Sequence, residues 1–271
     1  MSSEPARPSM QVEALRQALV APHGPYTALD VVAETGSTNA ELAAAARAGA
    51  ADRTVLVAEH QTAGRGRAGR GWVAPPRSGL ALSVLLRPQP VPQQRWGWLP
   101  LLAGVALGEV VAELCGVQVA VKWPNDLLLG PQRRKAAGIL AEVCGDAVVL
   151  GIGLNVTLPA GELPVPQATS LAIEGSGCTD RNALLAELLR RLDLLERHWR
   201  DARGDAVASG LRDAYRRCCA TLGRQVSVAL PAGQQLAGIA VDVDAEGRLV
   251  IDAAGGRQAL SAGDVTHVRP E

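Results

Sequence analysis

The segment GRGRAGRGW (64–72) has the residue types to bind an anion, because glycines separate three arginines, Arg65, Arg67 and Arg70. A guanidinium group donates paired hydrogen bonds to a carboxylate or a phosphate. Glycines allow backbone N–H groups to approach such a ligand closely. No acidic residue occurs between positions 60 and 108 to neutralise the arginines. The segment therefore predicts an anion-binding loop.

The first six residues of this loop also read G-x-G-x-x-G, the pattern of a dinucleotide-binding Rossmann loop. Such a loop leads into a helix and is followed about 20 residues later by an acid that binds the ribose. Here the loop leads into GWVAPPRSG (71–79), whose paired prolines do not begin a helix, and no acid follows at that distance. A Walker loop is excluded too, because neither lysine of the chain follows a glycine.

Three further segments place polar residues at the ends of predicted strands: KWPNDLLL (122–129), KAAGILAEV (135–143) and GIGLNV (151–156). The Trp-Pro turn of the first is expected to project its polar residues where open α/β sheets gather ligands. Each pattern alone is also typical of an ordinary turn or strand start. These polar residues are Asn125, Asp126, Lys135 and Asn155, and the buried strand of the second segment carries Glu142.

Composition excludes several classes of function. The formal net charge of zero argues against general binding to nucleic acid or to an acidic membrane surface. Five cysteines without a C-x-x-C pattern indicate reduced thiols in a cytoplasmic protein. Four scattered histidines do not predict a zinc site. The longest apolar stretch (99–115) is interrupted by Glu109 and Glu113, so no membrane-spanning helix is expected.

The elements that must position these residues follow from the hydrophobic pattern. Strands and helices alternate up to about residue 222, and the best helix covers 181–201. Thr38 and Glu41 predict a capping box at the start of one helix. From Gly223 onward, short alternating strands separated by glycines indicate a small β domain. We therefore predict a leader with a short helix, a catalytic body and a β domain, at 1–28, 29–222 and 223–271.

The ordered motifs resemble those of the biotin protein ligases. The resemblance covers about residues 30–270 and rests on the arginine loop and K-W-P-N-D above all, supported by GSTN (36–39), QTAG (61–64), LSVLLRP (82–88), KAAGILAE, GIGLNV and ATSL (168–171). It implies an α/β (α+β) catalytic domain of the biotin/lipoate ligase type with a small SH3-like β-barrel at the carboxy terminus. About 28 residues precede the body, so we expect the ligase-only type without a DNA-binding domain.

The resemblance also implies a reaction in two steps. Biotin and MgATP give biotinyl-5′-adenylate and pyrophosphate, and the mixed anhydride then acylates one lysine of an acceptor, such as the biotin carboxyl carrier protein or domain of a biotin-dependent carboxylase. Two anions must meet in the first step, so a cationic pocket is needed. The proline-rich segment 157–171 is expected to close over the adenosine end. The enzyme is expected in the cytoplasm, with neither DNA nor membrane as a partner.

The resemblance assigns site residues by their positions in this chain. The implied catalytic residues are Lys135 and Arg67. The implied biotin-binding residues are Ser37, Thr38, Asn39, Gln61, Gly64, Arg65, Gly66, Arg67 and Lys135. The implied residues for ATP or the adenylate are Arg67, Arg70, Trp72, Trp123, Asn125, Asp126 and Asn155. Asp126 is also the implied metal ligand.

Two alternatives stay open. A lipoate–protein ligase would share fold and chemistry, but it would need a longer apolar slot and usually lacks the arginine loop seen here. A nucleic-acid-binding regulator could use the same loop, although Trp72 is the only aromatic residue there that could stack on a base. Steep salt dependence of DNA binding would distinguish the regulator, because phosphate contacts release counterions.

Overall fold

The structure is a computed structural model, and it describes residues 7–229, 235–261 and 263–268. The first six residues of the predicted leader lie outside the described residues. So do parts of the predicted β domain, at 230–234, 262 and 269–271. The predicted boundaries between leader, body and β domain stay predictions.

A seven-stranded mixed sheet forms the centre of the body, in the order β1-β2-β3-β7-β6-β5-β4. Only β1 and β2 pair in parallel within it, and its other neighbours are antiparallel. The hairpin of β6 and β7 puts two long strands at its centre. The strands are β1 (Ala28–Val32), β2 (Thr54–Ala58), β3 (Gly79–Leu86), β4 (Val119–Lys122), β5 (Asp126–Leu129), β6 (Arg134–Cys144) and β7 (Ala147–Asn155).

Asn125 lies just beyond the end of β4, as expected, whereas Asp126 already belongs to the next strand. After β4 the chain turns through Pro124 and returns at once as the antiparallel strand β5, of which Asp126 is the first residue. Lys122 and Asp126 are therefore direct cross-strand partners. A short turn permits only this antiparallel return, since a parallel crossover needs a dozen residues or more.

Five helices flank the central sheet among the described residues: α1 (Val12–Leu19), α2 (Thr38–Arg47), α3 (Trp98–Cys115), α4 (Arg181–Asp201) and α5 (Leu211–Cys218). By length and composition alone, α3 is apolar enough to cross a membrane, but 72% of it is buried inside the structure. It packs on α4, α5 and the sheet. A helix that is hydrophobic on all sides fits such a core position.

The predicted capping box at Thr38 and Glu41 is not formed, and the N-cap of α2 lies one residue earlier. Ser37, not Thr38, is the N-cap, and its hydroxyl accepts a hydrogen bond from the backbone N–H of Ala40 at 3.4 Å. The N–H of Thr38 instead donates to Gln61 Oε1 at 2.9 Å. Serine and threonine are both favoured at N-caps, so local preference does not choose between Ser37 and Thr38. The hydrogen bond between Thr38 and Gln61 accounts for the choice of Ser37. This leaves the Thr38 side chain on the inner face of the helix.

The carboxy-terminal strands form a separate five-stranded antiparallel sheet, in the order β11-β10-β9-β8-β12. Two buried indoles of the body hold it in place: Trp98 Nε1 donates to Ala245 O at 3.1 Å and Trp123 Nε1 donates to Gly247 O at 3.2 Å. The small sheet therefore covers the start of α3 and the Trp-Pro turn. Its strands are β8 (Gln225–Ala229), β9 (Gln235–Val243), β10 (Leu249–Ala253), β11 (Gly256–Leu260) and β12 (Asp264–His267).

His267 links this sheet to the body, with Nε2 3.2 Å from Thr221 Oγ1. Burial, together with nearby cations, lowers the pKa of His267 to about 4; the cations are Lys122, Arg224 and Arg133. An unfolded chain keeps a histidine pKa of about 6.5, so between these values the unfolded state binds the proton more readily. Folding stability must therefore be lost as the pH falls from about 6.5 towards 4.

We expect His267→Gln to reduce this loss of stability at acidic pH, because glutamine does not titrate there. Urea unfolding at pH 7 and pH 5 would measure the difference, with the exposed His23→Gln as the matched control. The wild type and the control should lose more stability between the two pH values than His267→Gln does. An equal loss in all three proteins would contradict the assignment.

Candidate active site

A cavity of about 390 Å³ opens on the sheet beside the arginine loop. All the predicted site residues line it except Gly64 and Trp123. The walls come from the start of α2, the arginine loop, β5, the β6–β7 hairpin and the segment after β7. The predicted residues on the cavity wall are Ser37, Thr38, Asn39, Gln61, Arg65, Gly66, Arg67, Arg70, Trp72, Asn125, Asp126, Lys135 and Asn155.

The arginine loop folds back on itself into a tight hairpin. The N–H of Gly66 donates to Arg70 O at 2.6 Å, and that of Trp72 donates to Gly64 O at 2.9 Å. A Cβ at position 64 would overlap the carbonyl oxygen of Trp72. At Gly64 the absence of a side chain therefore permits this close backbone crossing, and its assignment to biotin binding stays a prediction. Ala68 adopts a left-handed conformation at the tip, with φ 54°.

The hairpin lays the indole of Trp72 flat against two glycines of the sheet. Gly138 in β6 and Gly153 in β7 are direct cross-strand partners. A Cβ at Gly153 would lie 2.5 Å from Cε2 of Trp72, and one at Gly138 would lie 3.2 Å from Cζ3. Sequence analysis missed both glycines. The alternation in GIGLNV was the available signal, because residues two apart share one face of a strand.

Hydrogen-bonding side chains form one end of the cavity. Thr38 Oγ1 lies 3.1 Å from Gln61 Oε1 and 2.7 Å from Ser83 Oγ, and Ser83 Oγ also lies 2.6 Å from Asn39 Oδ1. Ser83 is fully buried beneath the two α2 residues and was missed in the sequence analysis. A Cβ at Gly151 would overlap Asn39 Oδ1. The cluster suits a small polar ring with both donors and acceptors.

Cationic side chains line another part of the wall, beside apolar residues, and Lys135, Arg67 and Arg65 each face an acceptor of the protein. Lys135 Nζ lies 2.6 Å from Asp126 Oδ1, and Arg67 Nη1 lies 3.4 Å from Asn125 Oδ1. Arg65 Nη1 lies 3.8 Å from Glu142 Oε1. Among the described residues that line the cavity, Asp126 is the only one with a carboxylate. A bound anion would thus meet preorganised positive charge.

Asn155 and Trp123, which are both predicted to bind the nucleotide, line different cavities. Asn155 lines the cavity, and its Nδ2 donates to Thr169 O at 2.9 Å, which ties the end of β7 to the segment 157–171. Trp123 does not line this cavity. It is 1% exposed and lines a second cavity between α3 and the small sheet. Asn125, two residues further along the chain, lines both cavities. The sequence positions of Trp123 and Asn125 therefore do not show which of them reaches the first cavity.

The structure supplies one carboxylate for a magnesium ion rather than a cage of ligands. Among the described residues, no group of three or more His, Cys, Asp or Glu side chains is arranged to hold a metal ion. Mg²⁺ usually keeps several waters and binds one or two carboxylates together with substrate phosphates. The carboxylate of Asp126 fits this kind of Mg²⁺ site, but a bound ion would compete with Lys135 for it. The metal assignment of Asp126 stays a prediction.

Comparison with known proteins gives consistent matches. Residues 35–157 match the biotin/lipoate A/B protein ligase family, and residues 221–268 match the biotin protein ligase C-terminal domain. A biotin–acetyl-CoA-carboxylase ligase of Mycobacterium tuberculosis is 48% identical over 97% of this chain and 97% of its own length.

Solved structures agree with these matches. A biotin protein ligase from Aquifex aeolicus in complex with biotin and ATP has a TM-score of 0.71 and 27% identity, covering 90% of this chain and 100% of that one. One from Leishmania major in complex with biotinyl-5-AMP has a TM-score of 0.60 and 25% identity, covering 88% and 100%. The similarity therefore includes both the central sheet and the small carboxy-terminal sheet.

Proposed function

Because this chain belongs to the biotin protein ligase family, we propose that it activates biotin with ATP and transfers the biotinyl group to an acceptor lysine. A carboxylate oxygen of biotin attacks the α-phosphorus of ATP, and pyrophosphate leaves. The lysine amine of a biotin carboxyl carrier domain then attacks the acyl carbon, and AMP leaves. The observation that carries the proposal is the cavity, which joins a cluster of hydrogen-bonding side chains to a cationic wall.

The residues of the cavity divide between recognition and charge stabilisation. Ser37, Thr38, Asn39 and Gln61 are proposed to bind the ureido ring, because their polar atoms lie together at one end. Arg65, Arg67 and Lys135 are proposed to surround the biotin carboxylate and the α-phosphate, with Gly66 giving the loop its close approach.

The remaining lining residues are proposed to face the nucleotide: Arg70, Trp72, Asn125, Asp126 and Asn155. Mg²⁺ bound with ATP would neutralise phosphate charge. Lys135 and Arg67 stabilise the charge that develops as the two anions meet. The segment 157–171 supplies Pro164, Val165 and Ala168 to the wall and is proposed to exclude water.

The biotin activity is favoured over a lipoate ligase by the relatives, which are named biotin ligases, and by two solved biotin protein ligases, one in complex with biotin and ATP and one with biotinyl-5-AMP. The polar end of the cavity agrees with this choice, because a ureido ring needs hydrogen-bonding partners and a dithiolane ring does not. Five free cysteines fit a reducing compartment, and we propose the cytoplasm as the location.

The direct test is to incubate the protein with ATP, Mg²⁺ and biotin and to detect the acyl-adenylate by mass spectrometry. Biotinyl-adenylate should form, while lipoate in place of biotin should give little or no product. Formation of lipoyl-adenylate with no biotinyl-adenylate would reject the proposal. Adding a biotin carboxyl carrier domain should then move the label to one lysine of that domain.

Arg67→Ala should weaken biotin binding and release the adenylate faster, because the loop loses one of the charges that face the anion. A charge-assisted hydrogen bond contributes about 1.5–3 kcal/mol, so a loss of roughly 10- to 100-fold in affinity is expected. Calorimetry with biotin and a filter assay for adenylate release would measure both quantities. The exposed Arg217→Ala is the control, and unchanged values for Arg67→Ala would refute the anion-binding role.

A further inference from the structure

Glu142 lies on β6 behind the wall of the cavity and is not among the residues that line it. Its Oε2 accepts a hydrogen bond of 2.7 Å from Asn39 Nδ2. It shares one face of the strand with Gly138 and Leu140, which do line the cavity. Glu142 can therefore influence a bound ligand only through a neighbouring side chain.

The amide of Asn39 is held at both ends by the protein. Its nitrogen donates to Glu142 and also lies 3.3 Å from the carbonyl oxygen of Leu140. Its oxygen accepts from Ser83 Oγ at 2.6 Å. Both hydrogens of the amide are thus directed into the protein. The oxygen keeps a second lone pair, and it lies over Gly151 on the cavity wall.

The opposite orientation of this amide is unfavourable in these surroundings. A flip would place the amide oxygen against the carboxylate of Glu142 and the carbonyl of Leu140, where three acceptors would face each other without a proton. A ligand at this end of the cavity therefore meets an acceptor at Asn39, which complements an N–H donor such as those of a ureido ring.

We propose that Glu142 is a positioning residue for biotin recognition, which fixes the Asn39 amide so that its oxygen faces the ureido N–H. The proposal rests on the proposed function of the cavity. A competing role would act through charge, because Arg65 Nη1 lies 3.8 Å from Glu142 Oε1. That contact is long and the Arg65 side chain is 55% exposed, so its contribution is small.

Two substitutions at position 142 distinguish the hydrogen bond from the charge. Glu142→Met removes both, and we expect the KM for biotin to rise about tenfold while the KM for ATP and the kcat of adenylation stay close to wild type. Glu142→Gln keeps an acceptor oxygen but no charge, and it should recover most of the loss. If glutamine is as defective as methionine, Glu142 acts through its charge and the proposal is overturned.

A double-mutant comparison tests whether the effect passes through Asn39. In an Asn39→Ala background, Glu142→Met should cause no further rise in the KM for biotin. A full tenfold rise in that background would overturn the proposal, as would a wild-type KM in the single variant. Glu187→Gln on the exposed side of α4 is the control, and thermal unfolding confirms folding of each variant. Adenylate formation by the wild type tests the proposed function separately.

Discussion

Lys135→Ala should fold normally and lose adenylation activity by about 100-fold. The ammonium lines the cavity 2.6 Å from Asp126, in a side chain that is 37% exposed, so its removal leaves no buried cavity behind. Loss of one preorganised contact to developing charge costs on the order of 3 kcal/mol. Pyrophosphate release under saturating biotin and ATP measures the rate of the first step.

A matched control for this variant is Arg190→Ala, which removes a cation from the exposed face of α4. The control should keep the wild-type rate. A second variant, Asp126→Asn, removes the partner of Lys135 but retains the ammonium, and it should lose less activity than Lys135→Ala. Wild-type adenylation in Lys135→Ala would exclude the proposed catalytic role.

Gly153→Ala should impair biotin binding severely, although it adds a single methyl group. The new Cβ would lie 2.5 Å from Cε2 of Trp72, and the indole would have to leave the platform formed by Gly153 and Gly138. Overpacking of this kind costs about 1–3 kcal/mol, which corresponds to a loss of roughly 5- to 150-fold in affinity. Displacement of Trp72 would also move the arginine loop that precedes it.

Calorimetric titration with biotin and the intrinsic fluorescence of the indoles would follow this change. The control is Gly255→Ala, since a Cβ at Gly255 meets no atom within 4 Å and its backbone is not left-handed. Gly255→Ala should bind biotin as the wild type does. Equal binding by Gly153→Ala would show that Trp72 is not held in this position when biotin is bound.

Several features of this protein are encoded locally in its sequence. The arginine loop, the polar strand ends and the switch to β structure near Gly223 are all visible as short patterns of residue type. They were sufficient to recognise the family, because each motif combines a backbone requirement with a chemical group. The structure brings most of the residues that these patterns selected to one cavity.

A motif does not specify the direction of each side chain. Trp123 and Asn125 are separated by one proline, yet the indole is buried under the small sheet while the amide reaches the cavity. Thr38 has the residue type of an N-cap, but its N–H is bound by Gln61 from another segment. Gln61 is distant in sequence from Thr38, and Gly247 of the carboxy-terminal region is distant from Trp123.

The sequence by itself determined the chemical groups of this protein and their order along the chain. Only the tertiary structure decided which of them meet. Ser83, Gly138, Gly153 and Glu142 lie within the recognised motifs, but those motifs do not show what the four residues contact. Strand register brings them beneath Asn39 and Trp72. Register is set by the packing of the whole sheet, and a shift of one residue would turn every side chain to the opposite face.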